Sequence, residues 1–145
     1  MPKDGTMGNK TPAKAVIYTS RLGKTRKIAK YIAKELHADE FDLKKQSVID
    51  LSKYDHIVLG TGICAGKPYG ALVSFLNENR NQLINKKESL FISCMYDDMK
   101  GVNQLERVSS ELKIRDAFFF HGKGEKNDAG MEVSVDEFIK EMLKR

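Results

Sequence analysis

Short apolar runs alternate with longer segments of helical periodicity along most of the chain. Residues 15–18 are continuously apolar and end at a turn that contains Gly23. Apolar residues then recur at helical spacing, with lysines on the opposite face, at Ile28, Ala29, Ile32, Ala33 and Leu36. A buried strand, a glycine turn and an amphipathic helix predict the opening of a βαβ unit.

The same alternation continues to the last residues. Weak edge-strand character at residues 40–43 is followed by strong buried strands at 56–60 and 89–94, and a fifth strand is predicted at 116–120. A helix is expected just after Pro68, with apolar Leu72, Val73, Phe75 and Leu76. Another carries Leu105, Val108 and Leu112, and the last carries Phe138, Ile139, Met142 and Leu143. Ser134 followed by Glu137 is a capping-box pattern that predicts the start of this last helix.

Five strands alternating with helices predict an α/β fold. Because the strand runs are continuously apolar, the sheet is expected to be parallel and covered by helices on both faces. Right-handed crossovers then favour a doubly wound five-stranded parallel sheet in the order 2-1-3-4-5. Residues 1–13 lack any periodicity and are predicted to form a flexible tail, so residues 14–145 make one domain.

The charge of the chain changes this picture little. The formal net charge of +5 raises the question of a nucleic-acid partner, but no RNP-type aromatic motif or zinc-ligand spacing is present. Lysines alternate with acids over much of the sequence, which is typical of a solvated surface. We find no apolar segment long enough for a membrane helix and no signal-peptide pattern. With two cysteines, a cytoplasmic protein without a disulfide framework is expected.

The first predicted strand leads into a loop suited to an anion. In a sheet of order 2-1-3-4-5, ligands bind beyond the carboxyl ends of strands 1 and 3. The first loop, as we call it, consists of Thr19, Ser20, Arg21, Leu22, Gly23, Lys24 and Thr25. It is not a Walker P-loop, because the first glycine of that motif is replaced by Tyr18. The hydroxyls, the glycine and the helix start of this loop can nevertheless hold one phosphate. The alternative interpretation is a plain strand–turn–helix in which the hydroxyls only cap the helix.

These residues resemble a known family. The first loop and the following Lys27 resemble the phosphate loop of the flavodoxin family, Ser/Thr-x-x-Gly-x-Thr after a first strand. Residues 54–66 resemble that family's third strand and flavin loop, and Ser93-Cys94 and residues 119–123 also fit. The resemblance covers nearly all of residues 14–145 and extends to the flavodoxin-domain proteins that include menaquinone-dependent protoporphyrinogen oxidase.

The resemblance implies FMN as cofactor, with its phosphate on residues 20–25. The flavin ring would lie between two further loops. The second loop is Thr61, Gly62, Ile63, Cys64, Ala65 and Gly66, and the third is Cys94, Met95, Tyr96 and Asp97. Tyr96 can cover one face of the ring, but Cys64 stands where many relatives carry an aromatic residue, so the other face is expected to be bare or differently covered. Cys64 and Cys94 have two interpretations, a redox role beside the flavin or an inert thiol.

A bound flavin would make this chain a redox protein. A positive field favours the anionic reduced flavin and raises its potential, so the basic charge favours a quinone- or porphyrinogen-type oxidoreductase over a low-potential carrier. The acceptor would be a redox partner protein or a small molecule such as a quinone. Only one helix fits between Cys94 and Asp116, which leaves no insertion to shape a macrocycle site, so the substrate stays open.

Other function classes are weighed against this one. A binding module that kept the fold and lost the flavin is one alternative, and a small electron-transfer flavodoxin is another. A phosphoacceptor receiver domain is excluded, because Thr19, Ser20 and Thr61 stand where that fold needs carboxylates. No pair of nucleophile and base with diagnostic spacing and no metal-ligand cluster is found, so no catalytic residue is assigned.

Overall fold

The computed structural model of the chain describes residues 13–21, 23–64, 67–93, 99–120 and 124–144. Its strands are β1 Lys14–Thr19, β2 Asp39–Asp42, β3 His56–Cys64, β4 Lys67–Pro68, β5 Lys87–Ser93 and β6 Ala117–Phe120. Its α-helices are α1 Lys24–Leu36, α2 Gly70–Leu83, α3 Met99–Leu112 and α4 Val133–Leu143. A short 3₁₀ helix, Leu51–Lys53, precedes β3.

The main sheet is parallel, and its strand order is β2-β1-β3-β5-β6. This is the predicted 2-1-3-4-5 order, and β4 is an addition that pairs antiparallel with the end of β3. The register places Thr19 beside Thr61 and Gly62 beside Ser93, so the carboxyl ends of the three central strands are level. The doubly wound fold expected from the sequence is therefore confirmed.

Two separate apolar layers cover the two faces of the sheet. Alternate residues of each strand point to opposite faces, so Ala15 and Ile17 pack with α2 and α3 while Val16 and Tyr18 pack with α1 and α4. The strands are buried on both sides, as their continuous apolar runs require. Helices α1 and α2, which follow neighbouring strands β1 and β3, thus leave toward opposite faces.

Strand β3 is longer than its apolar run indicates. The sequence predicts a strand at residues 56–60 and a loop from Thr61, but the strand continues to Cys64. Thr61 pairs with β1 and with β5, and Gly62 pairs with β5. Ile63 pairs with Pro68 of β4. Backbone pairing with adjacent strands therefore extends β3 through the first four residues of the second loop.

The start of the last helix also differs from the prediction. Helix α4 begins at Val133 with Glu132 as its N-cap residue, and no side chain caps it. Ser134 lies inside the helix and its hydroxyl donates to the Glu132 carboxylate at 3.0 Å. The capping-box prediction is wrong because Glu132 forms a β-bridge with Lys126, and the Val133 amide donates to the Glu125 carbonyl, which fixes an earlier start.

Candidate functional site

A crevice lies at the carboxyl ends of β1 and β3. Thr19 and Thr61 are the last paired residues of these two neighbouring strands. The chain leaves β1 toward α1 on one face of the sheet and leaves β3 toward α2 on the other. Ligands of doubly wound folds bind where successive connections diverge in this way. The first and second loops of the sequence analysis meet at this point.

The first loop is closed by a contact between its own residues. The Gly23 amide donates to the Ser20 hydroxyl oxygen at 3.1 Å. Gly23 has a φ of +92°, a left-handed conformation that glycine adopts without strain, and it is the N-cap residue of α1. The Ser20 oxygen is the acceptor in this bond, so the hydroxyl group can still donate its proton to another acceptor. The loop is therefore turned so that a helix begins at Lys24, as the phosphate-site prediction requires.

The start of α1 is strongly cationic. Its first turn contains no acidic residue, and no side chain caps it. Four exposed cations lie within seven positions of the sequence: Arg21, Lys24, Arg26 and Lys27. The partial positive charge of the helix N-terminus adds to these side chains. The described part of the site is thus suited to an anion on electrostatic grounds.

The glycine of the first loop faces open space. A Cβ built on Gly23 would meet no atom within 4 Å, so the space in front of this backbone is open. Ser20 and Thr25 are buried residues of the same loop, and each carries a hydroxyl group. Backbone amides at a helix start, hydroxyls and cations are the donors that phosphate prefers. The residues of the first loop therefore fit a terminal phosphate.

The second loop is braced by a buried threonine. The Thr61 hydroxyl donates to the Gly62 carbonyl at 2.8 Å and accepts from the Tyr69 amide at 3.1 Å. Thr61 is fully buried, so these two bonds satisfy its hydroxyl within the protein. They tie the end of β3 to the start of α2. Thr61 consequently has a structural role at the edge of the crevice.

The structure also brings Tyr69 to the crevice. Its side chain lies against the backbone of Gly62, and the Arg21 guanidinium lies 5.9 Å from the centre of its ring. The sequence pattern does not predict Tyr69 as a site residue, because Tyr69 stands beyond Pro68, where the pattern predicts the start of a helix. The available signal was an aromatic residue between a glycine-bearing strand end and a helix.

Tyr18 lies just before the first loop and serves the core. Its side chain is buried in the layer beneath α1 and α4. Burial, followed by the nearby carboxylates of Glu40 and Asp42, raises the pKa of Tyr18 to about 12. The phenol is therefore neutral at physiological pH and does not act as a base in the site.

Several predicted site residues lie outside the described part of the chain. These are Leu22 of the first loop, Ala65 and Gly66 of the second, and the whole third loop with Cys94, Met95, Tyr96 and Asp97. The predicted tail at residues 1–13 is likewise outside it, except for residue 13. Cys64 is placed by its backbone at the end of β3, beside Lys67 of β4.

Three other kinds of feature matter in the described residues: a metal site, a membrane-spanning helix and a second polar cluster. They contain no group of three or more histidine, cysteine or acidic side chains that could hold a metal ion. The described helices include none that is both long enough and apolar enough to cross a membrane. A buried chain of contacts joins His56 to Ser89 at 2.9 Å and Ser89 to Asp116 at 2.6 Å, but it lies at the amino end of the sheet, away from the crevice.

The flavodoxin domain family model matches residues 15–131. The chain belongs to this family. The match includes β1, the first loop, β3, the second loop and Tyr69, and it runs to the segment that precedes α4. Membership of the flavodoxin domain family thus agrees with the strand order and with the position of the crevice.

One curated relative is an uncharacterised protein of Methanocaldococcus jannaschii, 36% identical over 91 residues. The matched region is 63% of this chain and 59% of the relative, so the chain spans about three fifths of that protein's length.

Solved structures agree on the fold. A flavo di-iron protein variant from Thermotoga maritima is similar with a TM-score of 0.64 and 18% identity, over 90% of this chain and 35% of that one. A flavoprotein from Lactobacillus acidophilus NCFM, in complex with FMN, is similar with a TM-score of 0.59 and 16% identity, over 75% of this chain and 93% of that one.

Proposed function

We propose that this chain binds FMN in the crevice between β1 and β3 and acts as a flavin-dependent redox protein. The observation that carries the proposal is the start of α1, where an open glycine turn, a buried serine hydroxyl and exposed cations converge and the first turn of the helix contains no acidic residue. Membership of the flavodoxin domain family and the similarity to a flavoprotein complexed with FMN support the choice of ligand.

The first loop would hold the phosphate. Ser20 and Thr25 would donate from their hydroxyls, and the amides at the start of α1 would donate from the backbone. Arg21 and Lys24 would add charge-assisted contacts. Two further loop residues, Thr19 and Gly23, shape the turn: Thr19 ends β1, and Gly23 supplies the left-handed turn.

The second loop and the third loop would border the flavin ring. Gly62 and Ile63, which lie in β3, would form the border on the strand side. Cys64, Ala65, Cys94, Met95, Tyr96 and Asp97 complete the proposed set. A bound FMN supplies one- and two-electron redox chemistry, and the protein contributes binding, orientation and electrostatics.

We further propose that the electron acceptor is a small molecule of the quinone type. The exposed cations of the first loop and α1 create a positive field, which raises the reduction potential of a nearby flavin. Within the described residues, one helix, α3, lies between Ser93 and Ala117. A connection this short favours a planar acceptor over a porphyrinogen, which would need a larger enclosing segment.

FMN titration of the purified protein tests the binding step. We expect quenching of FMN fluorescence and a shifted visible spectrum. Thr25→Glu should abolish binding by repelling the phosphate, and Lys24→Glu, at an exposed position, should weaken it about tenfold or more. Lys34→Glu is the matched control, because it makes the same change of charge ten positions along the same helix, about 15 Å away.

Two results would contradict the binding proposal. If the wild-type protein changes neither the fluorescence nor the visible spectrum of FMN, the chain is a binding module without flavin. Unchanged FMN affinity in a folded Thr25→Glu protein would exclude the first loop as the phosphate site. The acceptor is tested by mixing the dithionite-reduced holoprotein anaerobically with a soluble quinone. If the flavin is reoxidised no faster with the quinone than with buffer alone, the quinone is rejected as the acceptor.

A further inference from the structure

The two edge strands of the main sheet differ in their chemistry. Edge strand β2, Asp39–Asp42, contains three carboxylates, whereas edge strand β6, Ala117–Phe120, consists of apolar residues alone. Natural proteins keep an edge strand from pairing with other chains by placing charges or proline in it. Strand β2 has this protection and β6 lacks it, so β6 is the edge that a further strand can join.

A groove of about 310 Å³ lies along β6, between α3 and α4. Consecutive residues of a strand point to opposite faces of the sheet, yet all four residues of β6 line the groove, so it lies at the edge of the sheet. Strand β5 pairs with one side of β6, and no strand among the described residues pairs with the other side. Phe118 and Phe119 are only half-buried at this edge.

The two walls of the groove differ in polarity. On the α3 side lies Leu105, and Val102, one turn earlier on that helix, is 36% exposed. On the α4 side lie the exposed Glu137 and Glu141, which are four positions apart and therefore share one face of the helix. The buried ring of Phe138 lies between these two carboxylates in sequence and also lines the groove. One wall is thus apolar, and the other has an acidic rim above an apolar floor.

We propose that this groove binds an extended segment of a partner protein, which adds a strand to β6 and alternates apolar with basic side chains. Strand addition to an open sheet edge is a common mode of peptide recognition. Because side chains of a strand alternate between the two faces, every second residue of the segment meets the apolar wall of α3. The residues between them meet α4, where a lysine or arginine can lay its stem on Phe138 and reach Glu137 or Glu141 with its charge.

The acidic rim decides between a basic segment and a second copy of this chain. Two β6 strands paired antiparallel about an axis normal to the sheet would bring α4 of one copy beside α4 of the other. The rows formed by Glu137 and Glu141 would then face each other, and like charges across an interface are unfavourable. The contact of Glu141 with Lys144, at 3.6 Å, is exposed and offsets this repulsion little. A basic segment meets the same rows with the opposite charge.

Binding of a synthetic peptide tests the proposal. The probe is a fluorescein-labelled peptide of about seven residues, alternating valine and lysine, titrated with the whole protein and followed by fluorescence anisotropy. We expect saturable binding, and at least about tenfold weaker binding of the same peptide with glutamate in place of lysine. An added strand pairs through one of its two edges. Methylation of either the valine amides or the lysine amides should therefore abolish binding, and methylation of the other set should leave it unchanged.

Charge reversal in the groove gives a second readout. Glu137→Lys/Glu141→Lys should weaken binding of the lysine peptide about tenfold and should strengthen binding of the glutamate peptide. This exchange of preference does not follow from a loss of stability. The matched control is Glu35→Lys/Glu78→Lys, which makes the same change of net charge at exposed positions of α1 and α2. It should bind both peptides as the wild type does.

The outcomes do not depend on the proposed function, because β5 separates β6 from β3 and the crevice and because the probe contains no flavin. The proposal is overturned if the lysine peptide shows no saturable binding up to about 1 mM protein. Equal binding of the two methylated peptides, or unchanged peptide preference in the folded Glu137→Lys/Glu141→Lys protein, would also overturn it. A dimer in sedimentation velocity, with slower hydrogen exchange at residues 117–120 as concentration rises, would assign the groove to a second copy instead.

Discussion

The ring of Phe91 covers the backbone of Gly60 in the neighbouring strand. The two residues are register partners in β5 and β3, and a Cβ on Gly60 would collide with the edge of the Phe91 ring. Phe91 is also packed against Phe120 and Phe138, with ring centres 5.7 and 6.1 Å apart. These two rings therefore limit how far the Phe91 ring can move aside.

Gly60→Ala should destabilise the protein by about 1–3 kcal/mol, because an extra methyl group in a filled core forces its neighbours aside. The measurement is the free energy of unfolding from urea titration followed by circular dichroism. Gly70→Ala is the control, since a Cβ at the start of α2 meets nothing within 4 Å. Equal stability of the two variants would contradict the packing described for Phe91.

Gly23→Ala separates backbone strain from ligand binding. Its φ of +92° is unfavourable for alanine, and we expect a loss of about 1 kcal/mol in stability. Gly130→Ala makes the same change at a φ of +79° in a turn that precedes α4. Both variants should lose similar stability in urea, but only Gly23→Ala should also weaken FMN binding. Similar FMN affinities in the two proteins would argue against the first loop as the phosphate site.

Asn127 joins three parts of the fold. Its side-chain amide donates to the Tyr31 hydroxyl at 3.0 Å and to the Asp136 carboxylate at 2.7 Å, and its oxygen accepts from two backbone amides, those of Ala129 and Met131. Asn127→Ala should cost about 1–3 kcal/mol, because several partly buried polar groups lose their bonds at once. Gln82→Ala, which breaks an exposed bond to Asn79, should change the free energy of unfolding by less than about 0.5 kcal/mol.

The ionisation of Tyr54 makes the free energy of unfolding depend on pH in the alkaline range. Burial, followed by its hydrogen bond to Asp39, raises the pKa of Tyr54 to about 12 from its ordinary value of 10. The folded state thus favours the neutral phenol, so this contribution is full below pH 10 and is lost as pH rises toward 12. The urea midpoint of the wild type should fall more steeply over this window than that of Tyr54→Phe. Parallel curves for the two proteins would contradict the assignment.

The sheet and its order were predictable because they depend on local patterns. Continuous apolar runs mark β1, β3 and β5, since strands covered on both faces need apolar residues at every position. The start of α1 at Lys24 was predictable too, because Gly23 and the helical spacing from Ile28 are local signals. The position of the crevice then follows from topology alone.

The remaining features depend on contacts between distant residues. The start of α4 depends on the pairing of Glu132 with Lys126, which overrides the capping pattern at Ser134. The position of Tyr69 depends on a bare glycine in one strand and an arginine after another. Local propensity carries no information about such pairs, so the position of Tyr69 beside Gly62 could not be predicted from the sequence.

The contact between Tyr31 and Asp136 has a consequence for the order of assembly. The hydroxyl of Tyr31 donates to the Asp136 carboxylate at 2.6 Å across 105 positions of sequence, and α1 packs along α4. Helix α1, whose start is the proposed phosphate site, is therefore made early, whereas α4, one of its packing partners, is made late. We expect a nascent chain that ends before α4 to retain flavin poorly, so cofactor capture belongs to the released protein rather than to the growing one.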